Sequence, residues 1–132
     1  MANKVYPLYK QALIQGITSA ALTGTLKVAL VDTGVYTYSD GHEFLTSLTG
    51  VVGNAQTLTT KTYASGVLDA ADVSFLAVTG ATVEALVLFL DTGDAATSRL
   101  VAYFDTGVTG LPVTPNGGNI PIVWNASGII AF

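Results

Sequence analysis

The feature that most constrains this sequence is a run of β-forming residues, 83–90, that is apolar at almost every position. In a strand, alternate side chains point to opposite faces of the sheet. One face of this run carries Val83, Ala85, Val87 and Phe89, and the other carries Glu84, Leu86, Leu88 and Leu90. Because both faces are mainly apolar, both need cover, which predicts a strand inside a layered β fold. One cover is an opposing sheet, and the other is the N-terminal helix or a neighbouring subunit.

Further strands surround this run. Residues 100–104 are also dense in β-formers and follow a loop of small residues, so the two strands are expected to pair antiparallel. Pro121 has no backbone N–H, so its strand is predicted to lie at an edge or to enter at a bulge. The pattern indicates a mainly β chain, a small antiparallel β-sandwich that is Ig-like or jelly-roll-like. Shorter strands are predicted at 26–32, 56–63, 73–78, 120–124 and 129–132.

Helical signals are confined to the first third of the chain. Residues 7–15 predict a short N-terminal helix, since Pro7 suits the first helical position and Gly16 suits the exit. Asp40 and Glu43 have the spacing of a capping pair, which predicts one helical turn over 39–45. We therefore expect a single domain over residues 1–132, with a helical segment at 1–16 and the β-sandwich at 25–132.

The composition is unusual for a protein that works alone. Of 132 residues, 50% are hydrophobic and only 11% are charged, whereas soluble domains average about 25% charged. Such a chain must cover itself with small neutral residues or be covered by a partner, and we expect a homo-oligomer. Its five basic residues are scattered and its net charge is −4. Nucleic-acid binding is therefore not predicted, because that function needs clustered bases.

The apolar content does not indicate a membrane protein. The densest apolar stretch, 85–90, is far shorter than the roughly 18 residues that a spanning helix needs. Pro7 and Lys10 interrupt the region in which a secretory signal would carry its apolar core, so no signal peptide is expected. The chain contains no cysteine, which fits synthesis in a reducing cytoplasm.

The triplet Asp-Thr-Gly occurs three times, at 32–34, 91–93 and 105–107. In a homodimeric aspartic protease this triplet supplies one carboxylate of a catalytic pair. Each copy here follows an apolar strand, where Asp can cap backbone amides and Gly can adopt a positive φ. Three interchangeable copies, without the rest of the protease pattern, favour turn chemistry over catalysis.

Other chemistry-bearing residues form no recognisable site. His42 is the only histidine, and no Gly-x-Ser-x-Gly turn accompanies it. One histidine without cysteine also leaves a zinc site short of ligands. Asp69, Asp72, Asp91 and Asp94 could offer oxygens to calcium, but the chain has no Asp-x-Asp-x-Asp-Gly loop. We predict no enzymatic activity, no metal and no cofactor.

Two tyrosines, Tyr36 and Tyr38, lie on one side of an extended segment. They could form a ligand platform or an interface anchor, and packing in the core or against a subunit is the simpler interpretation. The candidate interface residues are the aromatic and aliphatic side chains that the predicted fold would offer to a partner. They are Tyr9, Leu13, Tyr36, Tyr38, Leu86, Leu88, Leu90, Trp124 and Phe132.

Several stretches resemble those of one known family. They are the opening Met-Ala-Asn-Lys-Val-Tyr, residues 26–34 with 36–39, 66–73, 84–87 and, most distinctively, Thr-Gly-Leu-Pro-Val-Thr-Pro-Asn-Gly-Gly at 109–118. Over nearly its whole length the chain is similar to a family of small virion structural proteins of tailed bacteriophages. The resemblance implies a structural role in the virion and brings no catalytic motif with it.

Within that role we expect a capsid decoration or cement protein, made in the host cytoplasm and located in the virion. Its partners would be the major capsid protein or other virion proteins, together with copies of itself, for example as a trimer. The alternatives are a tail, neck or tail-tip component, or a host- or glycan-binding module that uses Tyr36 and Tyr38. A homodimeric aspartic protease is the last alternative.

Overall fold

The computed structural model describes residues 3–17, 24–124 and 128–131. The predicted class is confirmed, because the chain is mainly β with one N-terminal helix and one helical turn. The elements in chain order are β1 (Lys4–Val5), α1 (Pro7–Gln15), β2 (Leu26–Val31), a 3-10 turn (Leu45–Ser47), β3 (Val51–Thr57), β4 (Thr62–Ala64), β5 (Val67–Asp69), β6 (Val73–Phe75), β7 (Ala85–Leu90), β8 (Arg99–Phe104), β9 (Ile120–Ile122) and β10 (Ile130–Ala131).

Five strands form the main antiparallel sheet, in the order β1-β8-β7-β2-β3. The predicted pairing of the two strongest strands is confirmed, with Val87 of β7 opposite Tyr103 of β8. Two smaller sheets have the orders β10-β5-β4 and β6-β9. Pro121 lies in β9, whose described pairing is with β6 alone, so the proline occupies the edge position predicted for it.

The strands of the main sheet supply most of the core. Every side chain of β7 is buried, as are those of β2 except Lys27 and those of β8 except Arg99. Tyr6 and Tyr9 join the same core from the N-terminal segment. The small sheets and the segments beside them contribute Leu58, Leu68, Phe75, Ile120 and Ile122.

One chain therefore covers both faces of β7 by itself. Its accessible surface is 6373 Å², close to the roughly 6,600 Å² that a compact monomer of this mass exposes. The second cover of β7 is thus supplied within the chain and needs no neighbouring subunit, because its apolar side chains are all buried in the core. The unusual feature of the protein is its outer surface, which has few charged residues.

Helix α1 begins and ends as its sequence predicts. Pro7 stands in its first turn, and Gly16 ends it in the left-handed conformation with φ of 70°. Tyr9 and Ala12 face the core, whereas Ile14 points outward and is 87% exposed.

Several predicted elements differ from those observed, and the strands predicted at 73–78 and 120–124 end already at Phe75 and Ile122. The helical turn lies at Leu45–Ser47 and not at 39–45, because Asp40 and Glu43 form ion pairs with strand residues and cap nothing. The strand predicted at 56–63 is divided, since Thr60 takes a φ of 53° between β3 and β4. The strand predicted at 129–132 is present as β10, and Phe132 lies outside the described residues.

Candidate functional site

The connection between β2 and β3, residues 32–50, is much longer than a tight hairpin between neighbouring antiparallel strands. We call it the strap. The N–H of Asp32 donates to the carbonyl of Gly50 at 2.8 Å and closes its base. Farther along, the N–H of Leu45 donates to the carbonyl of Ser98, beside β8, at 2.8 Å. Because β7 separates β2 from β8, the strap crosses from one strand of the sheet to another.

Four tyrosine rings meet where the strap contacts the sheet. The Tyr38 ring centroid is 5.0 Å from that of Tyr6 and 5.3 Å from that of Tyr103. The Tyr36 centroid lies 6.3 Å from that of Tyr103. These are ordinary distances for tilted aromatic pairs, each of which contributes about 1 kcal/mol beyond its buried area. We call this group the tyrosine cluster.

The hydroxyl groups of the tyrosine cluster continue into a buried chain of hydrogen bonds. The Tyr6 and Tyr36 hydroxyl oxygens are 2.7 Å apart, and the Tyr36 oxygen is 2.7 Å from Nδ1 of His42. Burial raises the pKa of both phenols above the ordinary value of a tyrosine. The two hydroxyls therefore stay neutral throughout the physiological range, and they act as hydrogen-bonding groups rather than as acids.

Ion pairs hold the strap at two points. Asp40 accepts hydrogen bonds from Nζ of Lys4 at 2.8 Å and from the hydroxyl of Tyr38 at 2.7 Å. These donors, Lys4 first, hold the pKa of Asp40 below its ordinary value. Glu43 pairs with Arg99 of β8 at 2.8 Å. The carboxylates that the sequence offered as a helix cap therefore bind the strap to β1 and β8.

A shallow cleft of about 380 Å³ adjoins the tyrosine cluster and contains both tyrosines that the sequence singled out. A sugar ring would need an open aromatic face, but Tyr36 is only 2% exposed and its hydroxyl is already bonded twice. Tyr38 is half-buried and its hydroxyl is held by Asp40. The geometry thus favours packing for these rings over a ligand platform. The cleft is lined by Thr33, Tyr36, Thr37, Tyr38, Glu84, Tyr103 and Asp105.

Sequence reasoning missed two members of the tyrosine cluster, Tyr6 and Tyr103. No local signal links them, because they meet only through the pairing of β1 with β8, in which Lys4 lies opposite Tyr103. The alternation of Tyr36 and Tyr38 gave a usable signal, since both are in the cluster.

The Asp-Thr-Gly triplets form turns, and they do so in two different ways. In two copies an aspartate Oδ1 accepts the N–H of the glycine two residues on, at 2.8 Å for Gly34 and 3.0 Å for Gly93. In the third, Asn3 Oδ1 accepts the N–H groups of Asp105 and Thr106.

The glycines of these triplets also differ from one another. A positive φ, which the turn interpretation predicts, is found at Gly93 and Gly107. The prediction of a positive φ is wrong for Gly34. A Cβ at this position would lie 3.1 Å from an oxygen of the capping Asp32. The first glycine is therefore favoured by a close contact and not by its φ.

Replacing Asp91 with Asn should cost less than about 1 kcal/mol near neutral pH, because the amide oxygen can still accept from Gly93 and only the pair with Lys27 is lost. The N–H of Gly93 and, next, Lys27 hold the pKa of Asp91 below its ordinary value. A carboxyl with a lowered folded pKa contributes stability above about pH 3.9 and loses it as the pH falls through the folded value. Urea denaturation should therefore show a smaller acid loss in Asp91→Asn than in the wild type. An equal acid loss in both would contradict this role.

Most of the other candidate interface residues lie in the core of the single chain. Tyr9, Leu86, Leu88 and Leu90 are buried, and Leu13 packs against the core while partly exposed. They offer a partner little surface in this conformation. Phe132 lies outside the described residues.

Trp124 keeps part of its surface accessible. Its indole N–H donates to the carbonyl of Ala71 at 3.1 Å, and its backbone N–H donates to Asp72 at 2.9 Å. With Phe104 and Ile129 it lines a cleft of about 410 Å³. Asp72 therefore ties the backbone at Trp124 to the segment just before β6.

Neither a metal site nor a spanning helix is found in the described part of the chain. Across residues 3–17, 24–124 and 128–131, no three acidic or histidine side chains converge as metal ligands would. Within the same ranges no helix combines the length and apolar character needed to cross a bilayer. The three carboxylates of the Asp-Thr-Gly triplets likewise form no such group.

Comparison with known proteins adds no relative. No protein-family model matches the chain, and no curated protein matches it either.

Proposed function

We propose that this chain is a structural protein of a tailed-bacteriophage virion that decorates the capsid and bridges its subunits. The resemblance of residues 26–39 and 109–118 to small virion proteins supports the setting. The role depends on the protein's surface, because the tyrosine cluster and the ion pairs of the strap serve to hold the fold together.

The proposal rests on a surface that has few charged residues and exposes several aliphatic side chains. Ile14 is 87% exposed, Leu76 68%, and Ile17 and Val35 61% each. Isolated exposed aliphatic residues are common, but a surface with few charges between them loses little hydration when it is covered. Such a surface fits permanent contact with other virion proteins.

Ion pairing lowers the number of isolated cations on this surface. Three of the five basic side chains are paired with carboxylates, as Lys4–Asp40, Lys27–Asp91 and Arg99–Glu43. Charges that are already paired present a weak field to an approaching protein and leave fewer ions to be stripped of water. The folded protomer therefore has the properties of a building block that adds to a preformed shell.

Copy number in purified particles tests the proposal. Quantitative mass spectrometry, calibrated against the major capsid protein, should find hundreds of copies for a decoration protein. Tens of copies or fewer would assign the chain to the tail, neck or tail tip instead. Absence from intact particles would overturn a virion role altogether.

Substitution of exposed aliphatic residues should locate the binding surface. Ile14→Ser, Val35→Ser and Leu76→Ser change exposed side chains, so each should fold normally with a loss below about 0.5 kcal/mol. At least one of them should reduce occupancy on particles several-fold, whereas Thr37→Ser, an exposed polar change, should not. Full occupancy of all three serine variants would contradict binding through these residues.

A further inference from the structure

The chain's single histidine stands at the end of the buried hydroxyl chain. The order is Tyr6 hydroxyl, Tyr36 hydroxyl and His42 Nδ1, with both heavy-atom distances at 2.7 Å. Tyr6 is fully buried and Tyr36 is 2% exposed, whereas His42 is half-buried and within reach of solvent. A change in protonation at the outer end can therefore act on groups that water does not reach.

Only one direction of donation satisfies every hydroxyl hydrogen in this chain. A phenol has one hydrogen to donate, and a neutral imidazole can accept at the nitrogen without hydrogen. With Nδ1 as acceptor, Tyr36 donates to His42 and Tyr6 donates to Tyr36. With a hydrogen on Nδ1, His42 donates to Tyr36, Tyr36 donates to Tyr6, and the Tyr6 hydrogen has no acceptor among the described residues. Leaving such a buried donor unsatisfied is costly.

The charged groups around His42 are balanced in pairs. In the strap these are Asp40 and Glu43, which are joined to Lys4 of β1 and Arg99 of β8 respectively. The phenols of the tyrosine cluster are also titratable, and the Tyr36 ring lies 5.4 Å from the imidazole. Glu84 and Asp105 line the cleft beside these phenols. The direction of the hydroxyl chain is therefore the interaction that differs most between the two forms of His42.

We infer that the hydroxyl chain is an acid-sensitive latch that holds the strap on the sheet while His42 is neutral and loosens it when His42 gains a proton. The protonated ring must either turn away, which leaves Tyr36 without its acceptor, or stay and leave Tyr6 with an unsatisfied hydrogen. Both outcomes weaken the strap between its two ion pairs. The inference concerns the fold itself and does not depend on the proposed virion role.

Two backbone amides report directly on the strap. The N–H of Leu45 donates to Ser98, and the N–H of Leu100 donates to the carbonyl of Glu43 at 2.9 Å, so both exchange with solvent when the strap opens. Hydrogen exchange, corrected for the intrinsic rate, should show their protection falling about tenfold between about pH 7.5 and pH 5. The Ala71 amide, bonded to the carbonyl of Thr59 at 3.0 Å outside the strap, is the internal control and should not change.

Two conservative variants make the test decisive. Tyr36→Phe keeps the ring and removes the hydroxyl that bonds Nδ1 of His42, so its strap protection, although lower throughout, should be independent of pH. His42→Gln offers an acceptor that cannot be protonated in this range, and it should behave in the same way. The inference is overturned if the wild type shows no loss, or if Tyr36→Phe and His42→Gln show the same loss as the wild type. Asp40 itself stays ionised at about pH 5, since Lys4 holds its pKa below the ordinary value.

Discussion

Gly50→Ala should destabilise the protein by about 3 kcal/mol, because the new methyl group combines an unfavourable backbone conformation with a clash. Gly50 has a φ of +69°, and a Cβ there would lie 2.8 Å from the carbonyl oxygen of Asp32 and 3.0 Å from Cβ of Val35. That carbonyl accepts the N–H groups of Val35 and Tyr36 at the base of the strap. Urea denaturation monitored by tyrosine and tryptophan fluorescence measures the effect.

Gly107→Ala is the matched control. Gly107 has nearly the same φ, +68°, but nothing lies within 4 Å of the position of its Cβ. It should therefore show only the conformational cost, about 1 kcal/mol. Equal losses in the two variants would mean that the base of the strap moves aside freely, which would contradict its role as a fixed anchor.

Tyr36→Phe should cost about 2 kcal/mol, since it removes the central hydroxyl of the buried chain. The Tyr6 hydroxyl then loses its partner while remaining fully buried, and His42 loses the donor at Nδ1. An unsatisfied buried group carries a larger penalty than the hydrogen bond itself contributes. Equilibrium denaturation near pH 7.5 gives the relevant free energy.

Tyr6→Phe deletes the same atom type from the end of the chain and serves as its control. The Tyr36 hydroxyl keeps His42 as partner, so no buried donor is left without an acceptor, and the loss should be about 1 kcal/mol or less. If Tyr6→Phe proved as damaging as Tyr36→Phe, the two hydroxyls would not act in the order described.

The sequence predicted those elements whose structure is determined by their own residues. Pro7 and Gly16 delimit α1 through backbone chemistry that needs no tertiary contact. The strands β7 and β8 were identifiable because apolar β-formers fill them completely. In these places the propensity of the segment and its final environment agree.

Elements fixed by distant partners were not predictable in the same way. Strand β1 has only two residues, and its pairing with β8 makes it a strand. Asp40 and Glu43 match a capping pattern, yet they form ion pairs with Lys4 and Arg99 instead of capping a helix. The candidate site shows the same division, since Tyr36 and Tyr38 stood out locally but Tyr6 and Tyr103 become their neighbours only through the sheet order.

The position of β1 in that sheet also determines when the protein can finish folding during synthesis. Lys4 pairs with Tyr103, so almost a hundred positions must be translated before the first strand finds its place. Until β8 has been synthesised, the N-terminal segment has no strand with which to pair. Pairings over such separations form slowly because a long loop must close first. The segment that contains β1 therefore stays unpaired, and open to aggregation and proteolysis, until β8 has been translated.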